Sequence, residues 1–517
     1  MAKESESYEK VPYIGRMHAQ SHVDALATVA TLFGVTPQSP ESCRVLELGC
    51  ADGTNITGMA FNLPNSQFVG IDGSETQIEA GRGIIADLGL TNVTLHCQDL
   101  RNIGPELGKF DYIIAHGIFS WIAQDARCAL LKICRDMMQP NGIAYISYNC
   151  YPGWHRYEQL RGMMKFHSRG METVKEEIEQ ARAIVQFVGN AIVDSESTRA
   201  EFFKQIMPDV LRMSSDYLFH EYLEANNQPM YFHEFIEMAK THDLQYLGES
   251  LFHTMMSSNY PESVKETMNR ISHNIIELEQ YMDFVRDRRF RCTLLCHAEI
   301  ELERSISLNH ILNFKVGFPF RNEETREDGG TRFINVRNTD IEVIAKEELH
   351  KVALAHLSEN WPRCLPFSEV VAHCEKTANI NPTPQAQTEL ADLFMTLYTQ
   401  SFMEFHVFEA PINPTIDEKP IVSRLVRYQA RNGRVVGSQK HDMFSLDDVL
   451  IRLLLERLDG THNLDQVTDA LLPKISKETR AQWDDPRQSL RTLIEECFQR
   501  LAAESVLIPS NAISSIG

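Results

Sequence analysis

Seven consecutive residues, Glu47-Leu48-Gly49-Cys50-Ala51-Asp52-Gly53, combine two carboxylates with two glycines between an apolar run and a helical pattern. Glycine lets a chain turn sharply and approach a ligand with no Cβ in the way. Asp72 ends the second β-rich run, where a carboxylate can accept hydrogen bonds from two ribose hydroxyls. Asp99 closes the third, where it can meet an adenine amino group while Leu100 covers the ring. Dinucleotide sites also place an acid after the second strand, but their G-x-G-x-x-G loop docks a pyrophosphate on the helix N-terminus. Glu47 and Asp52 would repel a pyrophosphate and suit a cofactor bearing a sulfonium and an ammonium group.

S-adenosylmethionine carries both groups. Tyr13, Glu47, Gly49, Ala51, Gly53, Asp72, Asp99, Leu100 and His116 are the candidate cofactor contacts, with Tyr13 and His18 expected to fold back over the cofactor carboxylate. Methyl transfer is an in-line displacement, so the protein's part is to position and desolvate the nucleophile. A lysine nucleophile, with an ordinary pKa of about 10.4, must first lose a proton. Aromatic surroundings lower that pKa, and a carboxylate or histidine can accept the proton. His116, Tyr148, Asn149 and His220 are the candidate catalytic groups, and Phe119, Trp121, Tyr151 and Trp154 the candidate pocket walls. For each aromatic the competing role is packing beneath a lid. On a regular helix adjacent His220 and Glu221 point in different directions, so only one is expected to face the cofactor.

The elements that must position these residues follow from apolar runs alternating with helical periodicity. Strands are expected at 43–49, 67–72, 92–99, 110–117 and 143–149, the last after a Pro140-Asn141-Gly142 turn. Helices are expected at 54–64, at 74–90 with Ser74 as cap and Gly89 as stop, and at 125–138. Such alternation predicts an α/β fold: a doubly wound, parallel, seven-stranded Rossmann-like core. Residues 1–154 form its first part, 155–229 a helical lid and regulatory region, and 230–300 the resumed core with β-rich 288–298. Residues 301–412 read as a helical, winged-helix-like middle domain, with helices at 341–357 and 385–400 and a strand-like run at 401–410. Within it, 322–331 reads as a mobile loop. The proline-bearing segment 409–420 reads as a linker, and 413–517 as a winged-helix-like C-terminal domain.

At 517 residues the chain calls for several domains. It has no apolar run long enough for a transmembrane helix, and its start, MAKESESYEKVPY, lacks the apolar core of a signal peptide. A cytoplasmic protein with no membrane insertion is expected. A formal net charge of −21 argues against nucleic acid as partner, since phosphates need a basic face. The eleven cysteines are scattered and predict no disulfide framework. Cys292, Cys296 and His297 lie in a strand-like run without a second ligand pair, so they are read as core groups, and no metal is expected.

Residues 47–53, 72 and 99 resemble the class I methyltransferase signature, with Ala51 where glycine is usual. Longer motifs resemble bacterial methyltransferases carrying a methyltransferase regulatory domain: VPYIGRMHAQSHVDALATVATLFG (11–34), HGIFSWI (116–122), SYNCYPGW (147–154), YLFHEYLEANNQPMYFHEF (217–235) and, more weakly, LLERLDGTHNLDQV (454–467). The complete layout resembles the outer-membrane-protein lysine methyltransferases of rickettsiae. That resemblance implies a nucleotide-fold core with middle, dimerisation and C-terminal domains around an open cavity, lysine-bearing protein substrates, and a homodimer. Methylation of a small molecule or sugar-lipid precursor, and a non-catalytic cofactor-binding scaffold, are the alternative readings.

Overall fold

The computed structural model describes residues 11–325, 329–377, 384–433, 435–446 and 448–512. The first ten residues, part of the N-terminal stretch read above, lie outside them, as do 326–328 of the expected loop.

Seven strands form the central sheet: β1 Arg44–Leu48, β2 Gln67–Asp72, β3 Val93–Cys97, β4 Phe110–Ala115, β5 Met138–Asn149, β6 Leu244–Glu249 and β7 Phe290–His297. Their spatial order is β3-β2-β1-β4-β5-β7-β6. Neighbours from β3 through β5 pair parallel, whereas β7 runs antiparallel to both β5 and β6, so the expected all-parallel sheet carries one reversed strand. Parallel strands covered on both faces must be apolar nearly throughout. Accordingly Val45, Leu46, Leu48, Ile113, Ile114, Ile143 and Leu294 have no exposed surface. The expected Pro140-Asn141-Gly142 turn is absorbed into β5, which starts at Met138 and shifts register against β4.

Helices α1 Val23–Leu32, α2 Thr54–Asn62, α3 Glu75–Leu88 and α4 Gln124–Met137 flank the sheet. Ser74 caps α3 by accepting from the Gln77 amide, and Gly89 ends it in the left-handed region. After β5 the chain leaves as α5 Trp154–Ser168, α6 Val174–Ile192 and α7 Thr198–Arg212, which enclose their own apolar cluster around Leu160, Val185 and Phe203. It then makes a π-helical turn, Phe219–Leu223, before helix α8, Phe232–Lys240, leads into β6.

The middle region is richer in strand than expected. Residues 342–345 of the expected helix 341–357 form a strand against Thr331–Asn335, because Ile341, Val343 and Ile344 make a β-branched run; the helix starts at Glu348. Thr331–Asn335 also pairs with Phe320–Thr325, so residues 322–325 and 331 of the expected mobile loop are sheet. Phe314, Phe394 and Phe405 share one apolar cluster with the central sheet. Asp24 of α1 accepts from the amides of Val407 and Phe408 and lies 2.6 Å from His406 Nδ1. The expected linker is also docked, with Ile412 buried and the Asn413 amide donating to the Leu507 carbonyl. A second cluster, around Leu454, Leu490 and Phe498, makes the C-terminal core.

Behind β7, Arg291 is wholly buried and donates to Asp283, Glu249 and Glu279 at 2.7–2.9 Å, lying 3.8 Å over the Phe232 ring. Arg288 joins the network through Glu249. The arginines hold the Glu249 carboxyl below its usual range, while burial outweighs them at Glu279 and Asp283 and pushes both up.

Candidate active site

The carboxyl ends of β1 to β5 open into a cavity of about 920 Å³, roofed by the helical insertion and by residues 13–20. Its sheet side is built from sharp turns. Gly49 has φ +70°, and a Cβ there would lie 2.3 Å from the Ile118 side chain, so the loop after β1 tolerates no side chain at that point. Asp72 is clamped at the end of β2, one oxygen accepting from the Ala51 amide and the other from the Ser74 amide, each at 2.9 Å. Burial raises its pKa, and the backbone donors oppose that shift. Ala51 itself adopts φ +49°, the left-handed backbone that explains why glycine is usual there.

Glu47 is buried, with Oε1 accepting from Asn55 Nδ2 at 2.7 Å and Oε2 without a hydrogen-bond partner among the described residues. Burial pushes its carboxyl up to about 8. A buried acceptor left open at a cavity wall fits a cationic ligand group. Asp99 also lines the cavity, but both of its oxygens bind the Arg101 guanidinium, at 2.9 and 2.7 Å, which lowers its pKa. A carboxylate has about four acceptor positions, so capacity for an adenine amino group remains. These groups fit an adenosyl cofactor with an ammonium end.

His116 follows β4, at the middle of the sheet edge, and its ring stacks 3.7 Å from that of His18. Its Nδ1 lies 2.8 Å from the Tyr145 hydroxyl, and burial depresses its pKa well below the usual value. His18 is likewise held down to about 4 by burial, so both rings are neutral at pH 7. Tyr13 lines the cavity, its ring edge-on to His220 and its carbonyl accepting from Gln77. Leu100, Trp121, Asn149 and Trp154 line it as well.

Four expected residues are elsewhere. Tyr148 is 1% exposed, stacks 4.2 Å from Phe235 and pairs its hydroxyl with Thr293, so as an inward residue of β5 it belongs to the core. Phe119 packs edge-on against the same Phe235 and is wholly buried. Tyr151 stacks on His155 and donates to Glu158, outside the cavity lining. Gly53 does not line the cavity either; it starts α2 in the left-handed region, its carbonyl accepting from Thr57.

His220 and Glu221 both line the cavity, contrary to the expectation for a regular helix. The π-turn explains this: its wider winding changes the angle between successive side chains, and such turns recur at functional sites. His220 is engaged at both ring nitrogens, because Nδ1 meets Glu224 Oε1 at 2.8 Å and Nε2 meets the Val11 carbonyl at 2.7 Å. It ties the N-terminal strip to the lid. Glu221 instead faces Tyr217, Tyr222 and Arg289, and burial raises its carboxyl to about 7. Arg16, Tyr157 and Arg289, also at the cavity, were not singled out from sequence. Only their membership of long aromatic or basic motifs could have flagged them.

Comparison with known proteins bears on this site. Residues 39–226 match a family described as a methyltransferase domain, 214–297 a predicted methyltransferase regulatory domain, and 418–506 the PKMT C-terminal winged helix domain. An uncharacterized protein of Rickettsia prowazekii (strain Madrid E) is 32% identical over 505 residues, spanning 95% of this chain and 91% of that protein. The chain belongs to the S-adenosylmethionine-dependent methyltransferases with a methyltransferase regulatory domain. The methyltransferase is similar throughout to PKMT2 from Rickettsia typhi, at 29% identity and a TM-score of 0.87, covering 96% of this chain and 100% of that one. A second structure of PKMT2 is in complex with AdoHcy, with a TM-score of 0.86 and 28% identity over the same shares. Another Rickettsia prowazekii protein, also uncharacterized, is 35% identical over 45% of this chain and 94% of its own length. Among the described residues no helix is long and apolar enough to cross a membrane.

Proposed function

We propose that this methyltransferase acts on lysine side chains of a protein. The observation that carries the reading is the wall of the cavity contributed by the insertion: Trp154, Tyr157, Tyr217 and Tyr222 line it together with Glu221, whose carboxyl lies near Tyr217 and Tyr222. An aliphatic amine entering there is stripped of water by rings and meets one acceptor for its proton. Kinship to proteins called PKMT supports the same class of acceptor.

Bound S-adenosylmethionine supplies a methyl group on a sulfonium sulfur, open to in-line attack. Asp72 would hold its ribose, Glu47 its ammonium and Arg16 its carboxylate. His116 and His18, neutral at pH 7, would add no positive charge to a cavity that receives a sulfonium. Glu221 accepts the lysine proton, and the aromatic wall excludes bulk water from the amine.

Two expected results test the scheme. With labelled donor and bacterial protein extract, label appears in acid-stable methyl-lysine, and the rate rises with pH through about 7 as Glu221 ionises. Glu221→Gln removes that inflection and lowers turnover about a hundredfold, the low end for a general base. Label confined to small molecules would reject the lysine assignment. The second result concerns Glu47, whose carboxyl stands at about 8 without ligand. A bound ammonium favours the carboxylate, so binding at pH 6.5 expels a proton and affinity climbs toward pH 8 by up to about tenfold per unit. Calorimetry with S-adenosylhomocysteine in buffers of different ionisation enthalpy reads the proton directly, and pH-independent affinity would count against the Glu47 contact.

A further inference from the structure

The winged-helix region packs against the outer side of the methyltransferase core, where Ile421, Leu425 and Ile508 meet Phe61 of α2 and Leu88 of α3. One of its side chains goes further. His441, between strands Val435–Gly437 and Met443–Ser445, is 0% exposed and held in the left-handed region at φ +65°. Its Nε2 lies 2.8 Å from Asn55 Oδ1, and Asn55 Nδ2 donates to Glu47 Oε1 at 2.7 Å. A buried chain of two hydrogen bonds thus runs from the C-terminal region to the acid at the cavity wall.

The direction of that chain is fixed. Burial keeps His441 neutral, so facing an amide oxygen its Nε2 carries the ring proton, and Nδ1 has no hydrogen-bond partner among the described residues. Asn55 Oδ1 also accepts from the His18 amide at 2.9 Å. With both donors aimed at the oxygen, the Asn55 nitrogen turns to Glu47 at 2.7 Å and to the Ser21 hydroxyl at 3.1 Å, and the other Glu47 oxygen has no hydrogen-bond partner among the described residues. The same hairpin clamps the strip that roofs the cavity. The Met17 amide contacts Met443 Sδ at 2.9 Å, and a Cβ on Gly437 would fall 2.2 Å from Met17 Sδ.

We propose that His441 is a positioning residue for the donor site, acting through Asn55 on Glu47, so that the winged-helix region completes cofactor binding in its own chain. The inference rests on the reading that Glu47 receives the ammonium. In the full-length protein, His441→Ala is expected to weaken S-adenosylhomocysteine binding at least tenfold by calorimetry. It raises KM for the methyl donor while KM for the acceptor protein stays within twofold. His441→Gln, whose amide nitrogen can donate to the same oxygen, restores affinity to within about threefold of wild type. A fall in unliganded melting temperature with donor affinity unchanged would overturn the proposal, as would no difference between the Ala and Gln variants. Glu47→Gln separates the two levels: unaltered affinity removes the Glu47 reading and this inference with it, whereas weakened affinity beside a silent His441→Ala removes the relay alone. If His441→Ala fails to fold, the wild-type protein provides the test by reciprocity. S-adenosylhomocysteine should slow hydrogen exchange at the backbone amides of 438–443, and unchanged exchange there contradicts the coupling.

Discussion

Asp72→Ala is expected to abolish measurable binding of S-adenosylhomocysteine. A carboxylate accepting from two ribose hydroxyls makes two charge-assisted hydrogen bonds, each contributing about 1.5–3 kcal/mol. Their loss predicts an affinity lower by roughly a thousandfold, since each 1.4 kcal/mol is a factor of ten. The substitution also strands the Ala51 and Ser74 amides, which Asp72 holds at 2.9 Å, so the loop after β1 loses its anchor to β2. Asp72→Asn keeps one acceptor and should fall between the two. Titration calorimetry on the unlabelled protein decides the matter, with ligand-induced melting shifts as a check: wild type shifts upward and Asp72→Ala does not. Affinity retained within threefold would mean the ribose lies elsewhere.

The second large effect concerns folding. Arg291→Leu removes the cation that faces Glu249, Glu279 and Asp283 at once, leaving Arg288 to neutralise three buried carboxyls. Breaking a buried ion network from one side costs about 3–5 kcal/mol, because the remaining charges keep their desolvation penalty without the attraction. Urea denaturation at pH 7.5 should show a midpoint lowered accordingly. The deficit relative to wild type should shrink as pH falls, because protonating the stranded carboxyls removes the buried charge. Burial already raises Glu279 and Asp283 with Arg291 present, so in its absence the recovery should begin above the ordinary carboxyl range. An unchanged midpoint would show that the network contributes little to the fold.

Much of this architecture is legible in the residues because periodicity and caps are local signals. The run CRVLELG, the Ser74 cap and the Gly89 stop each specify their element without reference to the rest of the chain. The acids at 47, 72 and 99 reach the cavity because strand ends fix them there. Side-chain direction is less legible. Tyr148 and Asn149 are adjacent on β5, yet one enters the core and the other the cavity, and only the strand's register decides which. Glu221 is hidden for a different reason: a π-turn has no residue signature comparable to a proline or a glycine, so a regular helix is the natural expectation. His441 is hidden by distance, since its partner Asn55 lies 386 positions away and no local pattern links them. The β-branched run at 341–345 marks the opposite case, a strand visible in composition but overridden by the helical period around it.

The contact between α1 and the segment after Phe405 has a consequence in the cell's own time. Asp24 waits for His406, 382 residues later, and the Thr28 hydroxyl meets the Phe405 carbonyl across 377. A ribosome adding about 5–20 residues per second leaves that gap open for tens of seconds. During this interval α1 lacks the partners that Asp24 and Thr28 find at residues 405–408, and the sheet beside it must form without them. That end of the sheet acquires its cover only after the middle region has been made.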